Sequence, residues 1–176
     1  MSIERVNEGL DTNYSQAFND LAIANEERPV GSENRVEENN PYFTRTWQLK
    51  EQTADNLAQK AIEKAQQLGI AITVSIVDAS GKLQKLSKMD NARSVSVDVS
   101  QSKAVTAATV RVATRVLMEN NGKTPGHPYN NFPNAVLLAG GLPIFTTHGD
   151  IVGAIGISGG SGDQDEACAQ AALNAI

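Results

Sequence analysis

Residues 151–173, IVGAIGISGGSGDQDEACAQAAL, contain a strand, a glycine-rich turn and a helix in direct succession. Apolar residues dominate positions 151–158, which predicts a short strand. A helix is predicted from near Asp163 onward, and its row of small residues is expected where a helix must approach a sheet closely. Cys168 lies in that row and is interpreted as a packing residue. The stretch therefore predicts a helix packed on a sheet.

The turn SGGSG (158–162) allows two interpretations. Glycine-rich turns before helices hold phosphates because backbone N–H groups converge there and the helix dipole adds positive potential. Here Asp163 and Asp165 occupy the first helical turn, where they would repel a phosphate. Asp163 and Glu166 also stand at capping-box spacing. The pattern favours a turn with a helix cap, and Gly159 and Gly160 are kept as candidate pocket residues.

Outside this stretch, helical patterns and short strands follow one another. A helix is predicted over Ala54–Leu68 with Gly69 at its C-terminus, and one or two more helices over 95–120. Alternation and turn residues predict five strands, at 70–77, 82–89, 135–139, 144–147 and 151–158. Within each group of consecutive strands, 70–89 and 135–158, the connections are too short for a parallel crossover. The prediction is an α+β fold with a five-stranded antiparallel sheet flanked by helices.

Residues 1–45 differ in composition from the rest of the chain. The segment NEERPVGSENRVEENNP (25–41) is charged, rich in amides and broken by proline and glycine, which predicts an arm outside the core. Before it, Tyr14, Phe18, Leu21 and Ala22 fall at helical spacing. This short amphipathic helix either docks on its own domain or clasps a neighbouring subunit. The sequence thus predicts an arm, 1–45, and a domain, 46–176.

Composition excludes several classes of partner. The 15 Lys and Arg residues against 20 Asp and Glu give a net charge of -5 without a basic block, which argues against nucleic acid. No stretch approaches the ~20 apolar residues of a membrane span, and the N-terminal residues carry acids where a signal peptide would have a basic and then an apolar stretch. The single cysteine suits a reducing compartment. We therefore expect a soluble, cytoplasmic protein.

Only two histidines are available for metal chemistry, His127 in PGHPYNNFP and His148 in TTHGD. Their number and spacing exclude a zinc site built from histidine or cysteine pairs. One histidine can still ligate a haem iron, because a single axial side chain is enough. The alternatives are ordinary structural roles, with His148 in a tight turn and His127 in a stiff loop.

Other charged residues offer less specific signals. Lys103 sits in SQSKAVTAAT (100–109), where one cation is surrounded by a small, apolar helical face. It is either a surface lysine with a buried stem or a residue that captures a carboxylate or a haem propionate. Asp78 and Asp90 follow strands and are first of all turn formers, with a ligand pocket as the alternative. No catalytic constellation can be argued from spacing, which leaves open whether the protein is an enzyme.

Five motifs in register resemble the GlcG/HbpS haem-binding family, which includes the C-terminal domain of PduO-type proteins. They are VSIVDASGKL (74–83), KMDNA (88–92), SQSKAVTAAT (100–109), LLAGGLPI (137–144) and VGAIGISGGSGDQDEACAQAAL (152–173). The resemblance covers residues 50–176 and implies a profilin-like fold and homo-oligomers, commonly octamers. It also implies haem binding for some members.

The resemblance leads to one functional hypothesis and two alternatives. The leading hypothesis is a haem-binding protein for storage, sensing or degradation, with His148 or His127 as iron ligand, Thr146 as an unusual oxygen ligand and Lys103 as propionate partner. The first alternative is an enzyme or accessory protein of small-molecule catabolism that binds a small organic acid in the same pocket, with Lys103 holding the carboxylate. The second is a scaffold protein that assembles through the arm.

Overall fold

The computed structural model describes residues 46–176. The elements, in chain order, are α1 (Glu51–Gln67), β1 (Thr73–Asp78), β2 (Leu83–Lys88), α2 (Val95–Val110), α3 (Thr114–Lys123), a 3₁₀ turn (Pro128–Asn131), β3 (Gly141–Phe145), β4 (Ile151–Ser158) and α4 (Gly162–Leu173). The sequence prediction of an arm at 1–45, with its amphipathic helix, lies outside the described residues.

The described strands form one antiparallel sheet in the order β2-β1-β4-β3. The predicted α+β class is confirmed, whereas the prediction of five strands is wrong for this part of the chain. Residues 135–139 were expected to pair, but the backbone N–H of Val136 donates to Thr106 Oγ1 on α2 at 2.9 Å. The strand begins instead at Gly141, inside the segment expected to be a turn. A side-chain acceptor on a helix thus replaces the expected strand partner.

One face of the sheet carries the large apolar side chains. Alternation along β1 and β4 directs Val74 and Ile76, with Ile155 and Ile157, toward α1 and α4. The two helices meet this face with small residues, which include Ala54, Ala58, Ala61, Ala65, Cys168, Ala169 and Ala172. Large strand residues against small helix residues fill the layer without large voids.

The opposite face is built from small and hydroxylated residues, and α2 lies directly on it. The hydroxyls of Thr73 and Ser96 are 2.6 Å apart, and those of Ser75 and Ser100 are 2.8 Å apart. At Gly156 a Cβ atom would stand 2.1 Å from the backbone oxygen of Ser100. The absence of a side chain there allows the helix backbone to touch the sheet.

Three residues, 111–113, separate α2 from the next helix. Arg111 ends α2 in the left-handed conformation with φ 60°, so the predicted region of one or two helices contains two. The second helix, α3, is fixed to the sheet at its first residue, where Thr114 Oγ1 accepts from the N–H of Gly141 at 2.9 Å. This contact places α3 beside the edge strand β3, in which Pro143 lies.

We expect Gly156→Ala to lower the free energy of unfolding by roughly 3 kcal/mol, because the new methyl group overlaps the α2 backbone. The matched control is Gly122→Ala in α3, where nothing lies within 4 Å of the added atom. There alanine should raise the stability by about 0.5–1 kcal/mol through helix propensity. Urea unfolding of the three proteins measures both effects, and equal stabilities for the two variants would contradict the close approach.

Candidate functional site

The glycine-rich turn before α4 uses its backbone donors internally. Ser161 and Gln164 form the capping box, with Gln164 N–H donating to Ser161 Oγ at 3.3 Å and Ser161 N–H donating to Gln164 Oε1 at 2.9 Å. The N–H of Gly160 donates to Asp165 Oδ1 at 2.8 Å. Gly159 passes against the backbone of Ala71. These contacts support the turn-and-cap interpretation over an anion site.

The expected capping pair, Asp163 and Glu166, has a different partner. Both carboxylates bind Arg115 of α3, through Nη2 to Asp163 Oδ1 at 2.5 Å and through Nε to Glu166. Glu166 first, and Asp163 next, raise the pKa of the Arg115 guanidinium above its ordinary value. The capping-box prediction was therefore wrong in its residues, because the helix begins at Gly162 with Ser161 as its N-cap and Asp163 already lies inside the first turn.

Lys103 is buried and fully engaged with other residues of the protein. Its Nζ donates to Asp165 Oδ2 at 2.7 Å and to the carbonyl oxygen of Ile157 at 2.8 Å. Both side chains of the ion pair are 3% exposed. An amine held in this way faces no open site, so the geometry argues against the roles of propionate partner and organic-acid anchor.

The other predicted pocket residues lie in turns. Asp78 Oδ1 accepts from the N–H groups of Ser80 and Lys82 at 2.8 and 2.9 Å and closes the turn between β1 and β2. Asp90 is exposed after β2. Neither residue lines any of the three cavities noted below.

The open cavities on the described surface include three with volumes of about 290, 320 and 330 Å³. The first lies on the outer side of α2, and the other two share Asp55 and Lys85 between α1 and β2. Within residues 46–176 no three His, Cys, Asp or Glu side chains are grouped to hold a metal ion. No helix in the same range is long and apolar enough to cross a membrane.

His148 and Thr146 stand together in the turn between β3 and β4. Thr146 Oγ1 accepts from the N–H groups of Asp150 and His148 at 3.1 and 3.3 Å, so this hydroxyl already stabilises the turn. His148 is exposed, and its ring bonds to no residue in the described part of the chain. The turn therefore shapes the backbone around His148 and leaves the imidazole unoriented.

His127 is held quite differently. It lies four residues after α3 in the left-handed conformation, with φ 46°, between Gly126 and Pro128. Its Nδ1 is 2.8 Å from the carbonyl oxygen of Asn121. A carbonyl oxygen only accepts, so Nδ1 carries the proton and the neutral ring keeps a lone pair on Nε2. A non-glycine residue held in this region of φ often marks a functional site.

Aromatic side chains stand two and five residues after His127. The rings of Tyr129 and Phe132 are tilted by 51° with centroids 5.1 Å apart, and Phe132 is 40% exposed. Together they give the loop an apolar surface of the kind that ligand sites use. Sequence reasoning noted this stiffness but missed Asn121, which carries no motif signal.

Comparison with known proteins adds the family. A family model described as haem-degrading protein HbpS-like matches residues 49–174. The chain belongs to the HbpS-like family. A protein from the dhaT-dhaS intergenic region of Citrobacter freundii is 32% identical over 124 residues, which cover 69% of this chain and 87% of that protein. This relative is described as an uncharacterised 15.0 kDa protein.

Two further relatives have names that state an enzyme activity or a bound ligand. The corrinoid adenosyltransferase PduO of Salmonella typhimurium is 36% identical over 122 residues, which cover 68% of this chain but only 36% of that enzyme. The crystal structure of a PduOC:heme complex is 35% identical, with a TM-score of 0.67, over 73% of this chain and 95% of that one. Because this chain matches only about a third of PduO, the name adenosyltransferase applies to that whole enzyme and is not transferred to this chain.

We expect Lys103→Met to cost about 3–5 kcal/mol of stability, because Asp165 would remain buried without its partner. The control is Lys60→Met, which breaks the exposed pair with Glu63, 2.8 Å apart, and should cost at most about 1 kcal/mol. Denaturant unfolding separates the two values. Similar small losses would show that the Lys103 pair is dispensable.

Burial raises the pKa of the Cys168 thiol from 9.0 to about 11, with a further contribution from the Asp165 carboxylate. The folded state therefore keeps a proton that the unfolded state releases, and stability should decline as pH rises from about 9 to about 11. Cys168→Ala should flatten that decline in unfolding experiments. The same slope in the variant would assign the effect to other groups.

Proposed function

We propose that this HbpS-like protein binds haem through Nε2 of His127. The observation that carries the proposal is the hydrogen bond from His127 Nδ1 to the Asn121 carbonyl, which leaves Nε2 unprotonated on an exposed ring. Metal-bound histidines usually donate their other ring N–H to a carbonyl or carboxylate. His127 therefore has the tautomer of a metal ligand before any metal is present.

The residues around His127 fit a porphyrin better than a bare metal ion. A haem needs one axial side chain and apolar contacts, and the loop offers an imidazole together with Tyr129 and Phe132. A bound haem would supply the iron chemistry, while the loop binds and orients it. The name of the PduOC:heme complex, a relative that covers most of this domain, supports the same ligand.

The other predicted ligands are less suited to iron. The Thr146 hydroxyl is occupied by two backbone donors, and the His148 ring is exposed without an orienting bond. Lys103 is buried against Asp165. The small-organic-acid alternative loses its anchoring cation for the same reason, so no observation favours it as a second function.

Several more specific predictions from the sequence accompany this proposal. Haem degradation is the role that the family description names, whereas haem storage and sensing stay predictions from the sequence. A profilin-like relationship, assembly into octamers, a cytoplasmic location, and the division into an arm and a domain stay predictions from the sequence. Gly159, Gly160, Asp78 and Asp90 stay predictions as pocket residues from the sequence; Gly160 and Asp78 bond within turns, and Asp90 is exposed.

Haemin titration of the full chain, followed by visible absorption, tests the proposal. We expect saturable uptake by the wild type, affinity lowered at least about tenfold in His127→Ala, and wild-type behaviour in His148→Ala. The matched histidine variants separate ligation from nonspecific haem adsorption. A flat or non-saturable response of the wild type would refute haem binding, and a loss confined to His148→Ala would reject His127 as the ligand.

A further inference from the structure

Asn121 is an unusual residue for the last turn of α3. It is 7% exposed, although asparagine is normally a surface residue, and its side-chain oxygen and nitrogen both have partners within the loop that follows. Its carbonyl lies in the last turn of the helix, where it accepts only a longer bond, 3.3 Å, from the N–H of Thr124, so one lone pair remains for another donor. That carbonyl can therefore accept a hydrogen bond from the Nδ1–H group of His127.

The side chain of Asn121 closes the same loop from the other end. Its Oδ1 accepts from the N–H of Tyr129 at 2.9 Å, and its Nδ2 donates to Asn130 Oδ1 at 2.9 Å. These two bonds join residues 129 and 130 back to Asn121, so residues 121–130 form a closed loop. His127 lies inside this closed segment and points its Nδ1 at the same residue.

We infer that Asn121 is a positioning residue that fixes the tautomer and orientation of His127. The inference rests on the proposed function for its consequence in haem binding, but its physical content concerns the ligand-free protein. One residue holds the loop with its side chain and the imidazole with its backbone. Loss of the side chain frees the Tyr129 N–H and the Asn130 side chain, so the left-handed conformation at Gly126 and His127 keeps only the backbone bonds of the loop as support.

The chain offers a matched control one residue away. Asn120 is exposed on the same helix, and its side chain bonds to no residue of the described part. Asn120→Ala and Asn121→Ala therefore remove the same chemical group from neighbouring positions. Only the second variant removes the two contacts that close the loop.

The first measurement is made without haem, by NMR correlation of the His127 ring nitrogens at a pH where the ring is neutral. We expect the wild type and Asn120→Ala to show the proton on Nδ1, and Asn121→Ala to show a mixture of tautomers. An unchanged tautomer in Asn121→Ala would overturn the inference. So would an equal change in Asn120→Ala.

The second measurement is haemin affinity, which we expect to fall about tenfold in Asn121→Ala and to stay unchanged in Asn120→Ala. If Asn121→Ala fails to fold, Asn130→Ala removes a single contact of the clamp and should shift the tautomer in the same direction. A wild type that shows the Nδ1 tautomer but binds no haem refutes the proposed function alone. A wild type that binds haem with an unaffected Asn121→Ala variant refutes the positioning role alone.

Discussion

The buried ion pair between Lys103 and Asp165 is the contact on which the surrounding backbone depends. Lys103 comes from α2 and Asp165 from α4, so the pair joins the helices on opposite faces of the sheet at one end of β4. Each charge is desolvated, and the structure compensates with a carbonyl at one and an N–H at the other. The backbone segments that pass this ion pair have almost no room for side chains. At Gly140 a Cβ would stand 2.8 Å from Asp165, and at Gly141 another would stand 2.5 Å from the Lys103 carbonyl.

This arrangement accounts for three separate sequence motifs, because each of them supplies one part of it. SQSKA contributes the lysine, LLAGGLP contributes the two glycines that pass over it, and SGGSGDQDE contributes the turn and the acid. A glycine-rich turn before a helix suggests an anion site when it is considered alone. Here the anion is a carboxylate of the protein itself. The shared motifs of the HbpS-like chain therefore describe the scaffold more directly than the ligand site.

Much of the fold could be predicted from the sequence, because periodicity and turn residues report local geometry. The helix over Ala54–Leu68, the β1–β2 hairpin and the strand at 151–158 follow from such patterns. The segment 135–139 could not be assigned correctly, since its apolar residues look like a strand while Thr106, thirty residues earlier, takes its backbone donor. The partners of Lys103 and Arg115 were also invisible, because both are set by tertiary contacts across more than forty residues. His127 was visible as a histidine, but its tautomer depends on an asparagine carbonyl that has no sequence signature.

The two edges of the sheet resist the addition of further strands by different means, and on one of them the means is Pro143. On β3 a proline lacks the N–H that a newcomer would need, and no change of solvent restores it. On β2 the corresponding obstacle is charge, since the exposed Lys88 lies on that edge, whereas Lys85 on the same strand is paired with Asp55 of α1 and repels less. Repulsion between charges weakens as ionic strength rises, whereas a missing donor does not. Within residues 46–176, a rise in salt concentration would therefore weaken the barrier along β2 and leave the barrier along β3 unchanged, so β2 is the edge of this sheet on which concentrated electrolyte would first permit strand-to-strand association.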